Sequence, residues 1–381
     1  MMKIFLLLIL CYLWFLNAAC RAIVPSLLPL IEDEFHLSHA LAASLSSALS
    51  SGYTLTLILA GFISIRIGYK WAIVAGMAIV STMLFLFKFA TGYESLAVFM
   101  LFVGIGTGVY KPNGISLITV TIARKNWGKA IAAHDTAASV SIFLIPILAA
   151  VGLRFFGWRD LLLLLGVASL MGLMVFTLFA PNPRSEQGEE RSSFFRILSR
   201  RDFQVIAVLW IFATCCSMGL YSVIPLFLVK ERGIPLDLAN TLFGMSRVGG
   251  ILITLLAGFL ADRYGVKRMI LLGSLITGLS TMGLALSKSF PVLVTMLFLQ
   301  ATISNLIFPV VLLVISKFTT AKERSLYIGL VMAGGALVGI CVMPIVLGAV
   351  ADVWNFRTGI FVLGLLTAFS CFALKYLRSP L

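Results

Sequence analysis

Gly258-Phe259-Leu260-Ala261-Asp262-Arg263-Tyr264-Gly265-Val266-Lys267-Arg268 closes one apolar run and opens the next. An earlier stretch, Gly61-Phe62-Ile63-Ser64-Ile65-Arg66-Ile67-Gly68-Tyr69-Lys70, does the same 197 residues before it. Both place an Arg five positions and a Gly seven positions after the first glycine. Three further pairs, Pro146 and Pro344, Arg159 and Arg357, and Gly166 and Gly364, recur at an offset of 198. Several matches at nearly one spacing mark a duplicated unit, each copy about half of the 381 residues.

The composition says what kind of unit is duplicated. Hydrophobic residues make up 60% of the chain and charged residues 12%, with a mean hydropathy of +1.07. Soluble chains run at ~45–50% apolar and about 25% charged. An ordinary cytosolic enzyme, a disordered chain, a disulfide scaffold and a nucleic-acid binder are excluded; the partner surface is the lipid bilayer. A spanning helix takes roughly 20 apolar residues, and about 30 with its loop, so the length accommodates twelve. Twelve apolar runs are found, from 4–31 to 357–376, separated by charged clusters and Gly or Pro. The longest polar stretch, Asn182 to Asp202, falls near the middle. The expected fold is an all-α membrane protein: twelve transmembrane helices as two six-helix pseudo-symmetric bundles, 1–181 and 205–381, joined by a cytoplasmic linker at 182–204. Within that linker, residues 192–198 read as a short interfacial helix.

The net charge of +14 is topological. With the N-terminus inside, 19 Lys and Arg fall on the inner side, 7 on the outer, and three, Arg21, Lys111 and Arg247, within spans. That bias places both termini in the cytoplasm. The six cysteines lie in apolar runs without metal or disulfide spacing. The apolar run after Met1-Met2-Lys3 is longer than a signal-peptide core and reads as the first span.

The second copy of the repeated motif matches the G-x-x-x-D-R-x-G-x-K/R signature of the major facilitator superfamily, between spans 8 and 9, and the chain resembles that superfamily along its whole length. The first copy departs from the signature, with Ile65 where it has Asp. The resemblance implies two six-helix halves that rock about a central site. It also implies a conformational latch at Gly258, Asp262, Arg263 and Gly265, mirrored by Gly61, Arg66 and Gly68, which holds the outward-open state. Gly258 is expected to allow close helix approach, and Asp262 to be held by Arg263 and a helix N-terminus. Without an acid at 65, the first-half latch should be weak.

A charge inside a bilayer costs a few kcal/mol on insertion scales and marks a site by default. Arg21, Lys111 and Arg247 outnumber the single intramembrane acid, Asp135, so the cavity they face should attract an anion. Arg presents a planar fork that matches carboxylate or phosphate. Candidate substrate contacts are Arg21, Arg247, Lys111, Asn17, Tyr221 and Asn305, with Ser217, Thr302, Tyr53 and Tyr110 as further polar side chains within spans. Asp135 and His134 are candidates for proton coupling. Structural readings stand beside these. Arg21 would snorkel outward or pair with Glu32; Lys111 would pair with Asp135; the polar side chains would only bond neighbouring helices. One Arg in each half is similar to the superfamily's organic-anion members, including the organophosphate and anion–cation symporters.

No phosphate-cradling loop, metal cluster or catalytic triad occurs, so an enzyme is not expected, nor any cofactor or metal. Gly104, Gly106 and Gly108 lie inside an apolar span, not between strand and helix. The Gly-rich span-5 pattern of drug/proton antiporters is reduced to Pro146. The expected function is secondary active transport of a small organic anion across the cytoplasmic membrane by alternating access, H+-coupled, by a monomer. The alternatives are export of hydrophobic or drug-like compounds by H+ antiport, uniport or anion exchange, and a substrate-sensing receptor on a transporter scaffold.

Overall fold

The computed structural model describes residues 2–183, 197–319 and 321–376. Most of the expected linker, and the interfacial helix at 192–198 but for its last two residues, lie outside them. The described residues are nearly all helical, with no strand among them, and eleven helical segments are long and apolar enough to cross a membrane. Backbone amides cannot be left unpaired in lipid, and a helix satisfies all of its own.

Eleven segments make twelve spans because one of them is two. His39–Phe89 is 51 residues long, about 75 Å at 1.5 Å per residue, more than twice a hydrocarbon core. It breaks at Gly68, whose φ of 82° and ψ of 159° are non-helical and suit a residue without Cβ. Span 4, Tyr93–Thr121, shows that the chain reverses there. Gly104 packs on Leu49 and Tyr53, and Gly108 on Tyr53 and Thr56, so span 4 runs parallel to span 2. Gly106 packs on Gly76 and Val80 of span 3, while Gly76 also faces Val109, which is the antiparallel order. The three glycines the sequence placed inside an apolar run are thus helix-packing positions. Lipid gives helices little hydrophobic reason to associate, and small residues let backbones approach.

The remaining spans are Lys3–Phe35, Arg124–Gly152, Trp158–Phe179, Arg201–Glu231, Leu236–Tyr264, Val266–Leu286, Phe290–Ser316, Leu326–Val353 and Phe356–Tyr376. They are numbered here 1, 5, 6 and 7 to 12. The chain divides into two compact units. The first holds span 1, most of span 2, spans 3 to 6 and the opening turns of span 8, Ile234–Gly244. The second holds the opening residues of span 2, Ser38–Ala43, with span 7, the rest of span 8 and spans 9 to 12.

The borrowed segments are bonded in place. In the first unit Asn240 Nδ2 donates to the Ser26 carbonyl at 3.2 Å, and Arg154 Nη2 meets Asp237 Oδ2 at 2.9 Å. In the second, the His39 and Ala40 amides donate to the two carboxylate oxygens of Asp352 at 2.7 and 2.9 Å. Those amides open a helix and have no intrahelical acceptor, and Asp352 supplies it.

Each unit has its own core. Leu10, Leu13, Trp14, Ile73, Met77, Tyr110 and Phe176 are buried together in the first. Phe203, Leu209, Ile270, Ile307, Val311 and Tyr327 form the second. Phe155, Leu178 and Leu255, by contrast, are about three-quarters exposed, as lipid-facing side chains are.

Candidate functional site

In the first unit, span 1 carries Trp14, Asn17 and Arg21 on one helical face. The Arg21 guanidinium lies 4.5 Å from the ring centroid of Tyr53 and 5.6 Å from that of Trp14. Its Nε has no hydrogen-bond partner, and among the described residues it makes no ion pair, with Glu32 or any other acid. Two aromatic faces therefore hold the charge where a carboxylate would be expected. Asn17 Nδ2 donates to the Thr107 carbonyl at 2.9 Å, joining spans 1 and 4, while its Oδ1 is buried without a partner.

Spans 4 and 5 bring Tyr110, Lys111, His134 and Asp135 to the same Trp14. Lys111 Nζ sits 5.4 Å from its ring centroid and 3.9 Å from Asp135 Oδ1. The expected Lys111–Asp135 pair is formed, but at a length beyond a hydrogen bond. The rings of Trp14, Tyr110 and His134 lie within 10° of parallel, with centroids 5.5 to 5.9 Å apart. Tyr110 and His134 are fully buried, whereas the Asp135 side chain is 47% exposed. His134, Asp135 and Lys111 thus stand in one cluster of ionisable side chains.

In the second unit, Arg247 of span 8 lies over Tyr221 of span 7, 4.0 Å from its ring centroid. Its Nη1 donates to the Ser217 carbonyl at 3.3 Å, and the residue is 8% exposed. That carbonyl belongs to a π-helical turn, Cys215–Gly219, where the wider winding takes carbonyls out of the α-helical ladder. Gln300 of span 10 uses the neighbouring one, with Nε2 2.8 Å from the Cys216 carbonyl. A second π segment, Ala336–Val342 in span 11, packs there through Gly339 against Thr214, Cys215 and Gly219. Asn305 bonds within its own helix, to the Ala301 carbonyl at 2.8 Å, and packs on Gly250.

The motif residues correct one expectation. A Cβ at Gly61 or Gly258 would meet nothing among the described residues within 4 Å, so neither supplies close helix approach. Gly68 and Gly265 do have the positive φ that the turns need, 82° and 84°. Asp262 and Arg263 are exposed and make no ion pair with each other among the described residues; Arg263 lies over Tyr264 instead, 5.5 Å from its ring centroid. Arg66 is exposed as well.

Comparison with known proteins identifies the frame that carries these clusters. The family profile of the Major Facilitator Superfamily matches residues 10–249 and 218–381. The chain belongs to the Major Facilitator Superfamily. The 4-hydroxybenzoate transporter PcaK of Acinetobacter baylyi is 23% identical over 352 residues, with 78% of this chain and 74% of that protein covered. Among solved structures, a bacterial homolog of the human lysosomal transporter Spinster, inward-facing and unoccupied, has a TM-score of 0.85 at 17% identity, covering 100% of this chain and 99% of its own. A variant of the nucleoside transporter NupG matches with a TM-score of 0.85 at 15% identity, over 98% of this chain and 100% of that one. At those identities the likeness is one of fold. This superfamily member is a multi-pass membrane transporter and not an enzyme.

Trp14 and Tyr53 carry more of this site than their residue types signal. Trp14 stands seven residues before Arg21, two helical turns along the same face, which was a usable signal. Gln300 and the π turn of span 7 had none stronger than the small residues of Cys215-Cys216-Ser217.

Proposed function

We propose that this protein is a secondary active transporter of a small organic anion bearing a carboxylate or phosphate, working by H+-coupled symport. It would act as a monomer in the cytoplasmic membrane, with both termini inside, by alternating access. The observation that carries this reading is Arg21: a guanidinium against two aromatic faces, without an acidic partner among the described residues. A cation held that way at membrane depth is stabilised by a ligand that brings the missing negative charge. In the second unit Arg247, over the Tyr221 ring, offers a second guanidinium to the anion, and Lys111 assists. Asn17, Tyr221 and Asn305 supply polar contacts, and Asp135 with His134 carries the proton. The name of the relative PcaK supports a carboxylate cargo, since 4-hydroxybenzoate is one.

The test is uptake into proteoliposomes of labelled 4-hydroxybenzoate and a panel of other carboxylates and phosphate esters, with and without an inward proton gradient. Arg21→Gln and Arg247→Gln should each abolish uptake in protein that still folds. Transport retained in both variants would assign the cations a structural role and select the efflux reading.

A further inference from the structure

His134 is fully buried, and its two ring nitrogens face different kinds of group. Nε2 is 3.3 Å from the Tyr110 hydroxyl. That hydroxyl has one proton, and it donates it to the Leu10 carbonyl at 2.6 Å. A carbonyl oxygen can only accept, so towards His134 the phenol oxygen must accept too, and Nε2 must carry the hydrogen. Nδ1 faces Asp135 Oδ1 at 3.4 Å. Among the described residues neither atom has another hydrogen-bond partner. With Nε2 already protonated, a neutral imidazole turns its Nδ1 lone pair on a carboxylate oxygen, which leaves two acceptors facing each other. One added proton removes the conflict.

We infer that Tyr110, anchored on the Leu10 carbonyl, is a positioning residue that fixes the tautomer of His134, so that His134 Nδ1 and Asp135 Oδ1 form a site for a single proton. The proton comes from hydronium at the half-exposed Asp135 carboxylate: one O–H bond of the hydronium breaks, leaving water, and one N–H bond forms on Nδ1. The charged and titratable groups around the pair are few. Span 4 supplies Tyr110 and Lys111, the latter 3.9 Å from the same Oδ1. Span 1 supplies Cys11, next to the anchoring carbonyl, and the Trp14 ring, over which Arg21 lies at 5.6 Å. Lys111 and the shared proton thus draw on one carboxylate oxygen. Loading the proton weakens the hold on Lys111 and leaves that amine to an anion. The purpose of this arrangement rests on the proton-coupling reading above; its existence does not.

The experiment is nitrogen NMR of 15N-histidine-labelled, full-length protein in proteoliposomes, titrated without any anion. His134 is one of three histidines, and its signals are assigned by their loss in His134→Gln. Above its titration midpoint, His134 should show a protonated Nε2 and a bare Nδ1. Tyr110→Phe should release that preference and give a mixture of tautomers. A wild-type Nδ1–H tautomer overturns the inference without needing any variant to fold, as does a tautomer unmoved in folded Tyr110→Phe. Those results would leave proton-coupled uptake, if observed, standing on another mechanism. Conversely, the expected spectra in a protein whose uptake ignores the proton gradient would keep the site and remove the coupling reading.

Discussion

Lys111 Nζ and Asp135 Oδ1 are 3.9 Å apart, with their side chains 44% and 47% exposed. A pair that long and that exposed contributes little to stability, less than about 1 kcal/mol. Lys111→Gln should therefore leave thermal unfolding in detergent nearly unchanged. If the amine serves the anion, the same variant should raise KM for uptake about tenfold or more. A large loss of stability with unchanged KM would make the pair a structural brace.

The ring of Tyr53 under Arg21 separates charge from stacking. Tyr53→Phe keeps the π face and should preserve uptake. Tyr53→Leu removes it and should raise KM about tenfold, the equivalent of ~1.4 kcal/mol and within the range of a partly desolvated cation–π contact. Arg21→Lys keeps the charge but not the planar fork, and should fall below wild type by more than tenfold. Uptake kinetics of the three variants check the order; equal losses in the Phe and Leu forms would mean the hydroxyl, not the ring, holds Arg21.

How much of this was legible beforehand follows from the range of each interaction. The spans are written in local composition, and the structure has them as long apolar helices; the duplication and the cations within the spans are written there and in the offset between Gly61 and Gly258. That the charges meet aromatic faces depends on which helices neighbour which, and Tyr53 is 32 residues from Arg21. The break at Gly68 was readable as a motif glycine, yet that spans 2 and 3 would part at this single residue was not. Gly258 shows the converse error: a motif glycine suggested close packing, and among the described residues nothing lies within 4 Å of where its Cβ would be. The π winding of Cys215–Gly219 has no propensity signal; its close neighbour Gly339 comes from span 11, more than a hundred residues along the chain.

Gln300 tests whether that winding matters. It is 1% exposed, and its amide is the side-chain donor to the Cys216 carbonyl. Gln300→Leu, close in volume, leaves that carbonyl without this donor in a buried site, which costs about 1–3 kcal/mol. Reversible unfolding should show the loss directly. Because the next carbonyl, of Ser217, accepts from Arg247, the variant should also raise KM wherever Arg247 binds substrate. Unaltered stability would mean that the turn holds itself.

The departure at Ile65 offers a last test, one of the conformational cycle. Ile65 is 47% exposed beside exposed Arg66, three residues before the break at Gly68. An acid at 65 would lie near the helix N-terminus that opens span 3, where a negative charge is favoured, and would restore the superfamily signature in the first half. Resemblance to that superfamily implies that such a charge cluster holds the outward-open state. Ile65→Asp should then raise the outward-accessible population and slow turnover. Labelling of an introduced cysteine with impermeant reagents from either side of the membrane, alongside uptake rates, measures both. Stability should change little, since an exposed apolar side chain is exchanged for an exposed polar one. If both the populations and the rate stay as in the native chain, the missing acid has no conformational consequence, and the first-half motif serves topology alone.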